Sequence, residues 1–264
     1  MSKSTAAGLV GVSASEVANM RIHIIAGNWK MNQVRGTARA FFERFRPLVN
    51  SSRNCEIVIF PSFLELDAAV LSARGTKIQI GAQNLCWARE GAFTGEVSGL
   101  MLRASGCSHV IVGHSERRKY FGETNESVLK KTLAAIDAGL TPIVCVGECE
   151  KKNVETVLAE QFVHSISMLL GAQFAKIVIA YEPVWAIGTG QTAAPEAAAA
   201  AHRFIRAQVT ASFGAEAANN VRILYGGSVN PDNAKSLMAQ PEIDGLLVGG
   251  ASLDPLTFAS IVNL

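Results

Sequence analysis

Eight short, mostly apolar runs recur along the chain, and the stretches between them are long enough to hold a helix. The runs are Ile22–Ala26, Glu56–Phe60, Lys77–Gly81, His109–Gly113, Pro142–Val146, Lys176–Ala180, Arg222–Tyr225 and Gly245–Val248. They are near-continuously apolar rather than alternating, the pattern of strands buried on both faces. Helical spacing with suitable punctuation occupies Thr37–Leu48, Glu123–Ala138 before Gly139, Val154–Leu170 before Gly171, and Pro195–Ala211. Strands joined by crossovers of this kind must be parallel, in a sheet covered on both faces or closed on itself.

The position of the unusual polar residues decides between those two sheets. They follow strand 1 (Asn28, Lys30), strand 4 (His114, Glu116), strand 6 (Glu182), strand 7 (Ser228) and strand 8 (Gly249, Gly250). In an open eight-stranded sheet the two edges lie roughly 33 Å apart, seven spacings of about 4.7 Å, too far for one small-molecule site. Closure makes strands 1 and 8 neighbours and gathers all these residues at one mouth. We therefore expect an α/β fold with one domain, a (β/α)8 barrel of eight parallel strands over residues 21–264. A barrel of this kind commonly takes about 250 residues. A hydrophobic content of 49% can fill a large core, and a charged content of only 17% suggests that a partner subunit covers part of the surface. Residues 1–20 are small and polar, lack Arg, and hold no apolar run long enough for a signal peptide; they read as a flexible N-terminal extension, with Met20 a possible alternative start.

Tyr181–Gly190 is the most informative loop. Glu182 ends a buried strand, where a carboxylate is a candidate base or a solvated strand end. Pro183 stops the ladder, and Trp185 and Ile187 precede Gly188 and Gly190. Apolar residues in such a loop need something to cover, so the loop reads as a lid. Lys30 is a surface ammonium or a fixed cation for phosphate or for developing negative charge. His114 ends strand 4 and precedes a helical turn whose backbone N–H groups could donate to one ring nitrogen. That would leave a neutral imidazole with its other N–H facing the mouth. Glu116 reads as a buried carboxylate pairing with Lys30 or a nearby Arg, or as a solvated acid at a helix start. The glycine pairs Gly226-Gly227 before Ser228 and Gly249-Gly250 let the backbone approach an anion, and their places after strands 7 and 8 suit a phosphate.

Other functions are disfavoured. A formal net charge of +2 implies neither nucleic acid nor an anionic membrane as partner, and no segment reaches the roughly 18 apolar residues of a membrane span. Five scattered cysteines without a CxxC pair read as reduced thiols of a cytoplasmic protein, with a redox-sensitive Cys145 or Cys149 as the alternative. The histidines show no metal-binding spacing, so neither metal nor cofactor is expected.

Asn28-Trp29-Lys30, His114-Ser115-Glu116-Arg117-Arg118, Tyr181–Gly190, Tyr225–Val229 and Leu247–Gly250 together resemble the signature motifs of the triosephosphate isomerase family, over essentially all of residues 22–264. The resemblance implies interconversion of dihydroxyacetone phosphate and D-glyceraldehyde 3-phosphate through an enediol(ate), in glycolysis and gluconeogenesis. A Glu base with a neutral His electrophile is the arrangement already known for this family. Carried over, Glu182 is the base, His114 the electrophile, Lys30 and Asn28 position the substrate, and Gly188, Ser228, Gly249 and Gly250 hold the phosphate; Glu116, read above as a partner of Lys30 or an Arg, is counted with the catalytic residues. It also implies a homodimer in which the loop Gln83–Glu96, with Trp87 and Phe93 near its tip, inserts into a second subunit and brings Thr94 close to the partner's site. The other reading of that loop is that it folds back on its own barrel. Rival functions are another phosphate-binding barrel enzyme and a non-enzymatic binding protein.

Overall fold

The computed structural model describes residues 21–52, 55–187 and 192–264. The expected extension over residues 1–20 and the lid glycines Gly188 and Gly190 lie outside the described residues.

The chain alternates strand and helix throughout. β1 (His23–Asn28) leads to α1 (Arg35–Val49), β2 (Cys55–Phe60) to α2 (Leu66–Ala73), and β3 (Ile78–Ala82) to α3 (Gly99–Ala104). After β4 (His109–Val112) come α4 (Ser115–Phe121) and α5 (Asn125–Asp137), and after β5 (Thr141–Val146) come α6 (Val154–Ser165) and α7 (Gly171–Phe174). β6 (Val178–Tyr181) precedes α8 (Pro195–Asn220), β7 (Ile223–Tyr225) precedes α9 (Pro231–Met238), and β8 (Gly245–Val248) precedes α10 (Pro255–Val262). Each strand pairs in parallel with the next, and β8 returns to β1 with Gly245 opposite Ile24 and Val248 opposite Gly27. The closed (β/α)8 barrel expected from the sequence is therefore present. Closure is tight at Gly245, where a Cβ would stand 2.0 Å from the Ile24 carbonyl oxygen.

Side chains alternate between two cores. Ile24, Ala26, Phe60, Ile143, Val178 and Ala180 belong to a cluster inside the barrel, whereas Ile25, Ile57, Val144, Ile179 and Tyr181 join the larger layer under the helices. Trp29, Phe41, Phe42, Phe45 and Phe258 form a continuous aromatic packing in that outer layer. The same two-residue period carries past the last apolar positions. Asn28 continues the inward series of Ile24 and Ala26, and Glu182 that of Val178 and Ala180, so the fold aims both into the mouth.

Two helix ends differ by several residues from the sequence reading. A single helix was expected over Val154–Leu170, but α6 ends at Ser165 and α7 starts separately at Gly171. The Ile166 and Ser167 amides both donate to the Phe162 carbonyl, and the Ser165 hydroxyl donates to Gln161 and that of Ser167 to Val163, drawing off carbonyls near the helix end. Conversely, α8 runs past Ala211 to Asn220, interrupted at Gly214, whose φ of 88° is not helical. At the base of the barrel Asp244 accepts from the Ile223 amide at 2.8 Å and from Arg206 at 2.6 Å, fastening β7, β8 and α8 together. Among the described residues no helix is long and apolar enough to cross a membrane, and no three His, Cys, Asp or Glu side chains are grouped to hold a metal ion.

Candidate active site

The sequence places Asn28, Lys30, His114, Glu182, Ser228, Gly249 and Gly250 on five different strand ends, and the structure brings all seven around one cavity of about 290 Å³. Ile187 and the glycines Gly226 and Gly227 also line it. A larger cavity of about 700 Å³ opens at the opposite end of the barrel, beside Thr141, Ile177 and Arg222, and holds none of these residues.

Lys30 adopts a φ of 53°, left-handed backbone that a residue with a Cβ rarely takes. Three contacts hold it there or exploit it. Its amide donates to Asn28 Oδ1 at 3.0 Å, its carbonyl accepts from Gln83 Nε2 at 2.8 Å, and its Nζ reaches Glu116 Oε1 at 2.6 Å. Gln83 also donates to the Phe60 carbonyl and so ties the loop after β1 to the end of β2. Glu116 thus has the expected Lys30 as partner, although its carboxylate is 40% exposed rather than buried. Trp29 fixes the same loop from behind, donating through Nε1 to the Ser252 carbonyl at 3.1 Å.

His114 caps α4. The Glu116 amide donates to its Nδ1 at 3.3 Å, so that nitrogen is an acceptor and the ring proton sits on Nε2, which lies 2.9 Å from Glu182 Oε1. Burial lowers the proton affinity of the ring, but the Glu182 carboxylate, as facing charge and as acceptor, leaves the His114 pKa raised overall. The Glu182 carboxylate is 2% exposed, and the Ser115 amide donates to its Oε2 at 2.9 Å. Burial pushes its pKa up, yet His114, the Ser115 amide and Lys30 together hold it below the ordinary carboxylate value. The carboxylate is therefore ionised at neutral pH inside an otherwise apolar strand end. A buried anion, a ring N–H and an ammonium converging on one cavity can remove a proton and stabilise negative charge on oxygen.

The sequence profile of the triosephosphate isomerase family matches residues 23–264. The triosephosphate isomerase of Solibacter usitatus is 66% identical over 248 residues, covering 92% of this chain and 100% of the relative. Those of Citrifermentans bemidjiense and Moorella thermoacetica are 52% and 51% identical, each covering 92% of this chain and 99% of the relative. The chain belongs to the triosephosphate isomerase family. It is an isomerase acting on triose phosphates, interconverting dihydroxyacetone phosphate and D-glyceraldehyde 3-phosphate.

Around this triosephosphate isomerase site, sequence reasoning missed Ser115, Gly147, Asn233 and Ser252 as supports, and missed the contact of Gly226 with Glu182. Ser115 contributes its amide rather than its hydroxyl to Glu182. Gly147 leaves the space taken by the Glu182 backbone, since a Cβ there would lie 1.7 Å from the Glu182 carbonyl oxygen. Gly226 sits on the other side, where a Cβ would meet Glu182 Cγ at 3.0 Å. Ser228 is held by Asn233, which donates to its carbonyl at 2.9 Å, and Gly249 by Ser252, whose amide and hydroxyl both donate to the Gly249 carbonyl. The one sequence signal for the missed positions was a glycine next to a strand end at Gly147, which a turn explains equally well.

Proposed function

We propose that in this chain Glu182 is the base, His114 and Lys30 are the electrophilic groups, Asn28 orients the substrate, and Ser228, Gly249 and Gly250 bind its phosphate, with Gly188 adding a further backbone N–H. The observation that carries the reading is the 2.9 Å approach of Glu182 Oε1 to His114 Nε2 at the edge of the mouth, with the Lys30 ammonium in the same cavity. Glu182 removes a proton from the carbon next to the carbonyl of one triose phosphate. The electron pair moves toward the carbonyl oxygen, where His114 Nε2–H and Lys30 stabilise the growing charge, and the resulting enediol(ate) is reprotonated on the adjacent carbon. Once substrate separates His114 from Glu182, the stronger of the two carboxylates that raise the ring pKa no longer faces it, and Glu116 alone still raises it. Burial, the Lys30 charge and the Glu116 amide remain and favour the neutral ring, against the Glu116 carboxylate. Glu116 is a supporting residue in this scheme, holding Lys30 by the 2.6 Å ion pair. A coupled assay of glyceraldehyde 3-phosphate conversion tests the scheme when wild type is run beside the Glu182 variant discussed below.

Phosphate assignment has its own test. A Cβ at Gly249 would point toward Lys30, 3.6 Å from its Cε, and so into the mouth. Gly249→Val should crowd the anion and raise the inhibition constant of inorganic phosphate; an unchanged constant would reject Gly249 as part of the phosphate site.

We also propose a homodimer through the loop Gln83–Glu96. Support comes from the apolar surface it leaves uncovered: Trp87 and Phe93 meet edge to face at its tip, 6.0 Å between ring centroids, yet remain 48% and 41% exposed. Thr94 beside them is exposed, as are Met31, Val34 and Leu64 on the loops after β1 and β2. The exposed Trp87–Phe93 pair at the loop tip favours a protein partner. Sedimentation equilibrium should give twice the 28.0 kDa chain mass, falling to the monomer in Phe93→Asp; a monomeric wild type would remove the partner loop from the scheme. All five cysteines are free thiols, which supports placing the enzyme in the reducing cytoplasm, a point that cell fractionation would test.

A further inference from the structure

Trp185 is gripped from two directions by the turn that follows β5. Glu148 Oε1 accepts from the Trp185 indole N–H at 2.8 Å and from the Tyr181 hydroxyl at 3.0 Å. Lys151 Nζ lies over the face of the same indole, 4.3 Å from its centroid. The turn also holds the backbone leading to Trp185: the Glu182 amide donates to the Val146 carbonyl at 2.8 Å, and the Val184 amide to the Glu148 carbonyl at 2.9 Å. Pro183, with φ fixed at −68°, makes the link between Glu182 and Trp185 stiff.

In this arrangement one oxygen of Glu182 accepts the Ser115 amide and the other faces His114. To take a proton from a substrate carbon the carboxylate must leave at least one of these partners, and the stiff segment that carries it must shift. Contacts that hold Trp185 therefore also hold the base where it is docked. The hydrogen bond holds the indole N–H, and the cation adds a separate attraction over the ring face.

We propose that Lys151 is a positioning residue that acts through Trp185 to stabilise the docked arrangement of the Glu182 segment. It rests on the reading of Glu182 as the base. An interaction present in one arrangement and lost in the other shifts the balance by its own magnitude. A cation over an exposed or half-exposed Trp corresponds to about a two- to fivefold ratio, about 0.5–1 kcal/mol. The Lys151 ammonium thus works against substrate engagement, and removing its charge should ease it.

The test compares Lys151→Met, which keeps the alkyl stem without the charge, with Lys151→Arg, which keeps the charge. In Lys151→Met the KM for glyceraldehyde 3-phosphate should fall about two- to fivefold, and in Lys151→Arg it should stay at the wild-type value. In the 15N–1H spectrum of the three Trp indoles one resonance should move in Lys151→Met and return in Lys151→Arg, with Tm unchanged in both. An unchanged or raised KM in Lys151→Met, or an equal fall in Lys151→Arg, would overturn the proposal. Turnover surviving in Glu182→Gln would instead overturn the reading of the base, whatever the Lys151 variants do.

Discussion

Glu182→Gln should lower kcat by about 10²–10⁴-fold, the range that a positioned general base contributes, while leaving phosphate affinity nearly unchanged. Gln has the shape of the carboxylate and can still accept the Ser115 amide, so the strand end and the mouth survive; what disappears is a site able to carry the abstracted proton. Phosphate affinity is spared because Ser228, Gly249 and Gly250 stand on β7 and β8 across the cavity. The pH dependence follows from the direction of the Glu182 shift. Its pKa is held below 4.5, so the active carboxylate is present above that pH and is lost as pH falls through the lowered value. The acid limb that Glu182 itself contributes to kcat/KM should therefore lie below pH 4.5, beneath both the ionisation of His114, whose ring pKa is raised, and the second ionisation of a phosphate ester at about 6. Near-normal turnover in Glu182→Gln, measured in the coupled assay, would remove Glu182 as the base.

The barrel was legible because its evidence is periodic and repeated. Eight apolar runs with helical stretches between them leave few topologies, and polar residues at strands 1 and 8 leave only a closed one. The strand ends were less legible where composition misleads. β1 extends to Asn28 although neither Gly27 nor Asn28 looks like a strand residue, because the ladder continues through Gly27 opposite Ile59 and Val248 and Asn28 opposite Phe60. The backbone donor to the His114 ring was legible because that donor, the Glu116 amide, is two residues away and belongs to a local pattern. The Ser115 amide on Glu182 joins residues 67 apart and leaves no trace in either stretch. Gln83 was taken only as the start of a partner loop, yet it also joins Lys30 to Phe60. Its long amide side chain reaches across two strand ends, a contact that closure creates and no local spacing announces. Lys30 was read as a cation, but its positive φ was invisible, since Lys carries no sign of left-handed backbone as Gly would.

Gly147→Ala should be almost as damaging as loss of the carboxylate, through geometry alone. A methyl group at 147 would stand 1.7 Å from the Glu182 carbonyl oxygen, 2.6 Å from its carbonyl carbon and 3.1 Å from its Cα. The obstacle is backbone on both sides, so no rotamer change relieves it. The Glu182 backbone is also confined: its amide is bonded to Val146 at 2.8 Å, and the Tyr181 carbonyl before it accepts from the Gly226 amide at 2.7 Å. Bringing the contact to about 3 Å or more must displace Glu182 by about 1 Å, and a misplacement of about 1 Å can cost about 10²-fold in rate. We expect kcat/KM to fall by about that factor, with inorganic phosphate still inhibiting at its wild-type concentration because the Gly249 side of the mouth is untouched. Gly226→Ala supplies the comparison. Its methyl would meet the flexible Glu182 Cγ at 3.0 Å and the Tyr181 carbonyl oxygen at 3.4 Å, contacts that shifts of a few tenths of an ångström relieve. Its loss should stay below about tenfold, corresponding to about 1.4 kcal/mol. If Gly147→Ala folds and turns over like wild type, the close approach of the β5 turn to Glu182 does not fix the base; if both variants lose activity equally, crowding near the carboxylate rather than displacement of its backbone governs the rate.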